Sequence, residues 1–208
     1  MKHAPEYPKI QTMFMREPTG RRKIQEDAWS RPEFDYLKDA DWLYTEKVDG
    51  MNIRVHWDGE QVRYYGRTDR AMLPPELRER LVDDFDASRL GGVFPGGAVL
   101  YGEGYGAKIQ KGGANYSDTQ QFVLFDVMVG GLWLEWEDVT DVARKLRCRH
   151  VPEWGVQTLE RIAEICQRRP NSTWGEFCIE GFVARPLVGL QDRRGNRIAT
   201  KIKCADFG

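Results

Sequence analysis

A chain of 208 residues with 41% hydrophobic residues can bury a real core and fits one large domain, alone or with a small appendage. Charged residues at 30%, aromatics at 12% and a mean hydropathy of −0.60 exclude a disordered chain and give a polar surface. The formal net charge of −1 lacks the basic excess that nucleic-acid binding usually leaves, and the longest near-apolar run, residues 122–129 interrupted by Asp126, is too short to span a bilayer.

Residues 1–41 are punctuated by Pro5, Pro8, Pro18, Gly20 and Pro32, and read as an irregular N-terminal arm with one or two short elements. The start, Met1-Lys2-His3-Ala4-Pro5, has no apolar signal core. Strands are expected at 42–47, 51–57 and 61–66, the last two joined as a hairpin by Asp58-Gly59. Pro74-Pro75 opens a helix to about Phe85, with proline where a first turn tolerates it. A glycine-rich connection (Gly91, Gly92, Gly96, Gly97) leads to a strand at 98–103. Residues 121–129 form the clearest buried strand, and Gly130-Gly131 turns it into a strand at 132–136. Helices are expected at 137–147 and 157–168. Strands at 178–185 and 198–203 flank a loop with Asp192-Arg193-Arg194-Gly195-Asn196. The sum is α+β: antiparallel sheets with flanking helices, in a single domain over 1–208.

Cys148, Cys166, Cys178 and Cys204 match no zinc spacing and no CxxC motif, and read as free thiols of a reducing compartment. Arg21-Arg22-Lys23, Arg168-Arg169, and Arg193-Arg194 with Arg197 each read as solvated surface runs; basic runs facing one groove would be a different matter. His3, His56 and His150 share no spacing and take structural or surface roles. The tryptophans go to core and rim packing, with Trp29 and Trp174 as the two that could touch nucleic acid.

The chemistry concentrates on Lys47-Val48-Asp49-Gly50. A lysine at the end of the β-prone Trp42-Leu43-Tyr44-Thr45-Glu46, with a turn behind it, suits a covalent nucleophile. A free lysine titrates near ~10.4, so roughly one in a few thousand is neutral at pH 7; neighbouring cations, desolvation or a metal must favour the amine. The surface alternative is an ordinary solvated lysine beside an Asp-Gly turn. Tyr101-Gly102-Glu103-Gly104-Tyr105-Gly106 puts a carboxylate among three glycines that would let a ligand approach the backbone. Phe125-Asp126 ends an apolar run, and its ring belongs to the core or stacks on a base. Glu180-Gly181-Phe182-Val183 repeats an acid and glycine on a strand. Lys201-Ile202-Lys203 sets two cations on one strand face, which suits a triphosphate.

In order, K-V-D-G-M-N, Y-G-R-T, Y-G-E-G, F-V-L-F-D, I-E-G-F-V and K-I-K resemble the collinear motifs of the covalent nucleotidyltransferases, the superfamily of polynucleotide ligases and mRNA capping enzymes. The resemblance covers about residues 44–203. Asn52, the segment Gly106-Ala107-Lys108-Ile109-Gln110-Lys111-Gly112 and Tyr7-Pro8-Lys9-Ile10 are similar to RNA ligases of the RNA ligase 2 type. That resemblance implies the nucleotidyltransferase fold of the ligase and capping enzymes, and an ATP-dependent RNA ligase with Mg2+ or Mn2+. Lys47 would form a lysyl–AMP bond, and AMP would pass to a 5′-phosphate end that a 3′-hydroxyl then joins. Asp49 and Gly50 would shape the turn that aims Lys47. Glu46 and Asn52 would sit by the nucleotide, Arg67 and Glu103 on the ribose, and Phe125 on adenine. Glu180 would hold the metal, directly or through water, and Lys201 and Lys203 would bind phosphates.

The partner implied is RNA or a nicked nucleic acid, as in RNA repair, in a cytoplasmic setting of cellular or phage origin. The five residues after Lys203 leave no room for the OB-fold or helical C-terminal domain of larger relatives, so a minimal form is expected. The alternatives are a minimal DNA ligase or 5′-end adenylyltransferase of the same superfamily, and a catalytically silent nucleic-acid-binding relative. The intact set Lys47, Glu103, Glu180, Lys201 and Lys203 argues against the last.

Overall fold

A computed structural model describes residues 4–17 and 23–208. The expectations placed on His3, Pro18, Gly20, Arg21 and Arg22 lie outside the described residues. In chain order the strands of the first half are β1 (Gln11–Thr12), β2 (Phe14–Arg16), β3 (Ile24–Trp29), β4 (Trp42–Glu46), β5 (Met51–Trp57), β6 (Val62–Tyr65) and β7 (Ala98–Tyr105). Those of the second half are β8 (Gln121–Val129), β9 (Leu132–Trp133), β10 (Arg149–His150), β11 (Glu153–Gln157), β12 (Gly181–Pro186) and β13 (Thr200–Lys203). The helices are α1 (Pro32–Tyr36), α2 (Pro75–Asp84), α3 (Ala87–Val93), α4 (Trp136–Leu146) and α5 (Leu159–Gln167).

The chain divides into two compact units, Met1–Pro8 with Asp49–Val151 and Lys9–Val48 with Pro152–Gly208. In the first, the strands run in the order β10-β8-β7-β5-β6, with β9 against β8. Pairing is antiparallel except for the two-residue β10, which lies parallel to β8. Alternation along β5 sends Ile53, Val55 and Trp57 to one face and Asn52, Arg54 and His56 to the other. Helix α4 buries Trp136, Val139, Val142, Ala143 and Leu146, the spacing of one helical stripe.

Arg54 is fully buried on the second face. Its Nε donates to Gly66 O at 2.9 Å, one terminal nitrogen to Ala4 O at 2.7 Å and the other to Asp69 Oδ1 at 2.7 Å, while the guanidinium stacks 5.1 Å from the Tyr65 ring. One side chain therefore ties the N-terminal segment to the loop carrying Arg67. Arg54→Met is expected to strand two buried carbonyls and lower stability by about 3 kcal/mol. Thermal denaturation would then read a fall of roughly 6–12 °C; a fall under about 2 °C would mean that the tie is dispensable.

In the second unit, the strand order is β1-β13-β12-β4-β11, with a separate β2–β3 pair. Its pairs are antiparallel except β1 with β13. Every residue of β4, an interior strand paired on both edges with β12 and β11, is buried. Helix α5 is capped by Thr158, whose hydroxyl accepts from Arg161 N, and lays Leu159, Ile162, Ala163 and Cys166 onto the sheet beside Trp42, Phe182, Ala184 and Ile202. The architecture is the expected α+β one of antiparallel sheets with flanking helices. No helix among the described residues is long and apolar enough to cross a membrane.

Candidate active site

Lys47, Glu180 and Lys203 meet at one end of the five-stranded sheet. The register sets Phe182 opposite Glu46 and Gly181 opposite Lys203, and Lys47 N donates to Gly181 O at 2.9 Å. The end of β4, the start of β12 and the end of β13 are thereby neighbours, although they lie far apart in sequence. Gly181 is required here: a Cβ on it would sit 2.0 Å from Ile202 O. Lys47 Nζ donates to Glu180 Oε2 at 2.5 Å and Lys203 Nζ to Glu180 Oε1 at 2.6 Å, so one carboxylate bridges two ammonium groups. Lys201 lies on the same strand face as Lys203, opposite Val183.

Glu46, expected beside the nucleotide, is 1% exposed, and its Oε1 accepts from Ser172 Oγ at 2.7 Å. Sequence reasoning missed Ser172, which no motif marks. Burial raises the Glu46 carboxyl above its ordinary 4.5, against the Ser172 hydroxyl and the Thr173 backbone that lower it. A raised acid stabilises the fold fully below 4.5, and that contribution is lost as pH rises through its raised value. Glu46→Gln should therefore gain in melting temperature over the parent between pH 4.5 and neutrality. A pH-independent difference between the two would rule out this account.

The first unit carries the other expected residues. Asn52 lies directly opposite Glu103, and Arg54 opposite Tyr101, on one face of β5 and β7. The β7–β8 register shifts between Tyr101 and Gly102, a bulge that turns both Phe125 and Asp126 to that same face. Phe125 packs edge-on to Tyr7 at 5.0 Å, and the Tyr7 hydroxyl donates to Asp126 Oδ2 at 2.9 Å. Asn52 Oδ1 is buried without a hydrogen-bond partner among the described residues, an acceptor left for something else to satisfy. Arg67 is exposed, with no side-chain hydrogen bond or ion pair among the described residues, so this structure does not lock it to Glu103.

The Asp49-Gly50 turn is held by the Gly106–Gly112 segment. Gln110 Nε2 donates to Gly50 O at 3.3 Å, and a Cβ on Gly112 would lie 3.3 Å from Asp49 Oδ2. Gly50 packs so close to β7 that a Cβ would stand 2.2 Å from Gly104 O. The expected role of Gly102, Gly104 and Gly106 changes. A Cβ on them would meet the Phe122 ring at 2.2 Å, Leu77 at 2.5 Å and Thr119 O at 2.1 Å. The space beside these glycines is filled by protein, so they serve close packing and not ligand approach.

A sequence model of the RNA ligase family matches residues 40–203. Among solved structures, a mutant Naegleria gruberi RNA ligase with ATP and manganese superposes with a TM-score of 0.69 at 17% identity, over 99% of this chain and 62% of that one. A second mutant of that ligase, with AMP and manganese, gives 0.68 at 16% identity, over 98% and 62%. The ligase with pyrophosphate gives 0.66 at 18%, over 97% and 62%. These likenesses carry the nucleotidyltransferase fold, and the chain spans about three fifths of those ligases, 62% of their length. No curated protein matches.

Proposed function

The chain belongs to the RNA ligase family, whose sequence model covers residues 40–203, and from that premise we propose that it is an ATP-dependent RNA ligase working through a covalent lysyl–AMP intermediate. The observation that carries this reading is the pair Lys47 and Lys203 on the two oxygens of Glu180. Such a cluster is suited to phosphoryl transfer, where catalysis is mostly positioning and charge neutralisation.

The Lys47 amine, freed of a proton, attacks the α-phosphorus of ATP. The P–N bond forms as the P–O bond to pyrophosphate breaks. An RNA 5′-phosphate oxygen then attacks the same phosphorus and displaces Lys47. Finally a 3′-hydroxyl attacks the RNA phosphate, AMP leaves, and a phosphodiester remains. Lys201 and Lys203 neutralise the phosphates in this scheme. Arg67 and Glu103 hold the ribose, and Phe125 holds adenine. Asn52 offers its unpartnered Oδ1 to the nucleotide or the incoming end. Glu46 belongs to the nucleotide-binding set through the backbone that its bond to Ser172 secures.

Glu180 suits a divalent cation. Among the described residues no three His, Cys, Asp or Glu gather as a protein cage for a metal. A single carboxylate with substrate phosphates and water is the usual magnesium arrangement. Such a cation would neutralise phosphate charge. Lys47 Nζ is engaged by Glu180 in this structure, so attack requires that it leave that contact and pass a proton to solvent. We assign residues 1–208 to one nucleotidyltransferase domain, in a reducing intracellular compartment that the free cysteines support.

The test is incubation with α-labelled ATP and magnesium or manganese, followed by acid. Covalent label that survives acid, together with joining of 5′-phosphate and 3′-hydroxyl RNA ends, is expected. A panel of nicks with RNA or DNA on each side separates RNA from DNA ligation. No label on the wild-type chain would sink the proposal.

A further inference from the structure

We propose that the groove between α1 and the Asp192–Asn196 turn is a binding site for the flank of an RNA substrate strand, with Arg193 and Arg194 on its phosphates and Tyr36 stacked on a base. The inference rests on the ligase reading for its substrate class. The groove, about 1060 Å³ in volume, lies within the second unit. Arg193 and Arg194 stand exposed at one rim, with no ion pair among the described residues, and Tyr36 lies at the other, 89% exposed. An aromatic ring that open normally finds cover; beside two unpaired cations it matches the pairing of charge and stacking by which single strands are held.

Asp192 pins the backbone of the turn that carries the arginines. Asp192 Oδ1 accepts from Arg194 N and Asn196 N, both at 2.9 Å, and Oδ2 accepts from Asn196 Nδ2 at 3.0 Å and from Arg31 at 2.8 Å. Arg31 also donates to both oxygens of Glu33 at 3.2 Å, which fixes the turn to the start of α1. Against Glu33 and Asp192, the three arginines leave the groove with one net positive charge, displayed by Arg193 and Arg194. The sequence run Arg193-Arg194 is then more than a solvated turn: its backbone is pinned by Asp192, its side chains carry no ion pair among the described residues, and it lines one groove with Tyr36.

Its distance from the chemistry sets the reach. Strand β12 runs from beside Glu180 to Pro186, where the chain leaves for the turn, and six residues at ~3.3 Å each span about 20 Å. At ~3.4 Å per nucleotide, that stretch alone matches roughly six nucleotides, and a flank of about 12 is long enough to pass it.

The experiment compares the wild-type chain with the double variant Arg193→Ala/Arg194→Ala and with Tyr36→Ala. All three positions are exposed, so folding is not at stake. Lysyl–AMP formation from ATP alone should be unchanged. Affinity for an RNA extending about 12 nucleotides past the join should fall about ten-fold in each variant. The slope of log affinity against log salt should fall by about 1.4 in the double variant, two phosphates at ~0.7 each. An RNA with only three flanking nucleotides should bind all chains alike. Equal affinities for the long RNA, or equal losses for long and short RNA, would overturn the groove assignment. A wild-type chain that takes no label but binds long RNA through these residues would overturn the ligase reading and leave the groove standing.

Discussion

Replacing Lys47 by alanine is expected to remove all acid-stable AMP label while leaving the fold in place. The side chain is 22% exposed and, among the described residues, it pairs with Glu180, which keeps Lys203 as a partner. Loss of a mostly buried pair whose carboxylate keeps a second lysine costs about 1–3 kcal/mol, a shift of roughly 2–12 °C in a chain of this size. The chemical loss is of another order, because no other side chain can form the phosphoramidate in its place. Lys47→Arg sharpens the point. It keeps the positive charge on Glu180, yet a guanidinium stays protonated and does not attack phosphorus. If charge alone mattered, the arginine variant would keep activity; if Lys47 is the nucleophile, both variants are silent. Both should still seal an RNA whose 5′ end already carries AMP, because that step needs the metal and the phosphate-binding lysines and not the nucleophile. Label surviving on Lys47→Ala would move the nucleophile elsewhere.

Much of this arrangement is legible in the sequence, and the limits have physical causes. Gln121–Val129 is read to the residue, because an apolar run bounded by Gln120 and Gly130 is hard to misplace. Met51–Trp57 follows equally from its hairpin turn. Strand β11 is missed: Glu153–Gln157 contains Gly155 at φ +115 and an exposed Val156, and is a strand only because β4 offers it an edge. The helix expected from 157 begins at Leu159, where the Thr158 hydroxyl caps it. Gly91 and Gly92 read as part of a connection, but Asp86 caps a helix that runs through both. The strand expected over 132–136 ends at Trp133, and Trp136 opens α4. Among its described residues the arm holds three strands and a helix, stabilised by partners that local sequence does not reveal.

The site divides in the same way. Lys47, Glu180 and Lys203 are visible as residue types at strand ends. That Glu180 binds both lysines is not, since it depends on the registers of three strands. The three glycines around Glu103 are visible too, but what fills the space beside them is a tertiary fact: Phe122, Leu77 and the Thr119 backbone. Asn52 carries weight in the sequence through the resemblance to RNA ligases; that its Oδ1 has no hydrogen-bond partner among the described residues is apparent only once β5 is paired with β7.

Glu180→Gln is expected to separate the two roles that this carboxylate can hold. Glutamine keeps the length and can still accept from one lysine, but it loses the charge that draws a divalent cation and the second oxygen that binds Lys203. If Glu180 orients the metal, directly or through water, the metal concentration for half-maximal AMP transfer should rise about 10–100-fold, and excess metal should restore the plateau. If Glu180 serves only to hold Lys47 and Lys203, the metal titration should keep its midpoint while the plateau falls. Glu180→Ala goes further, since it leaves two ammonium groups with no carboxylate between them. Their repulsion should push Lys47 or Lys203 aside, so the plateau falls and excess metal does not restore it. The carboxylate is 18% exposed, within reach of solvent ions, which makes the metal titration a fair assay of its environment. A Glu180→Gln variant with both the midpoint and the plateau of the parent would remove Glu180 from the chemistry, and would leave Lys47 and Lys203 to be brought together by the strands alone.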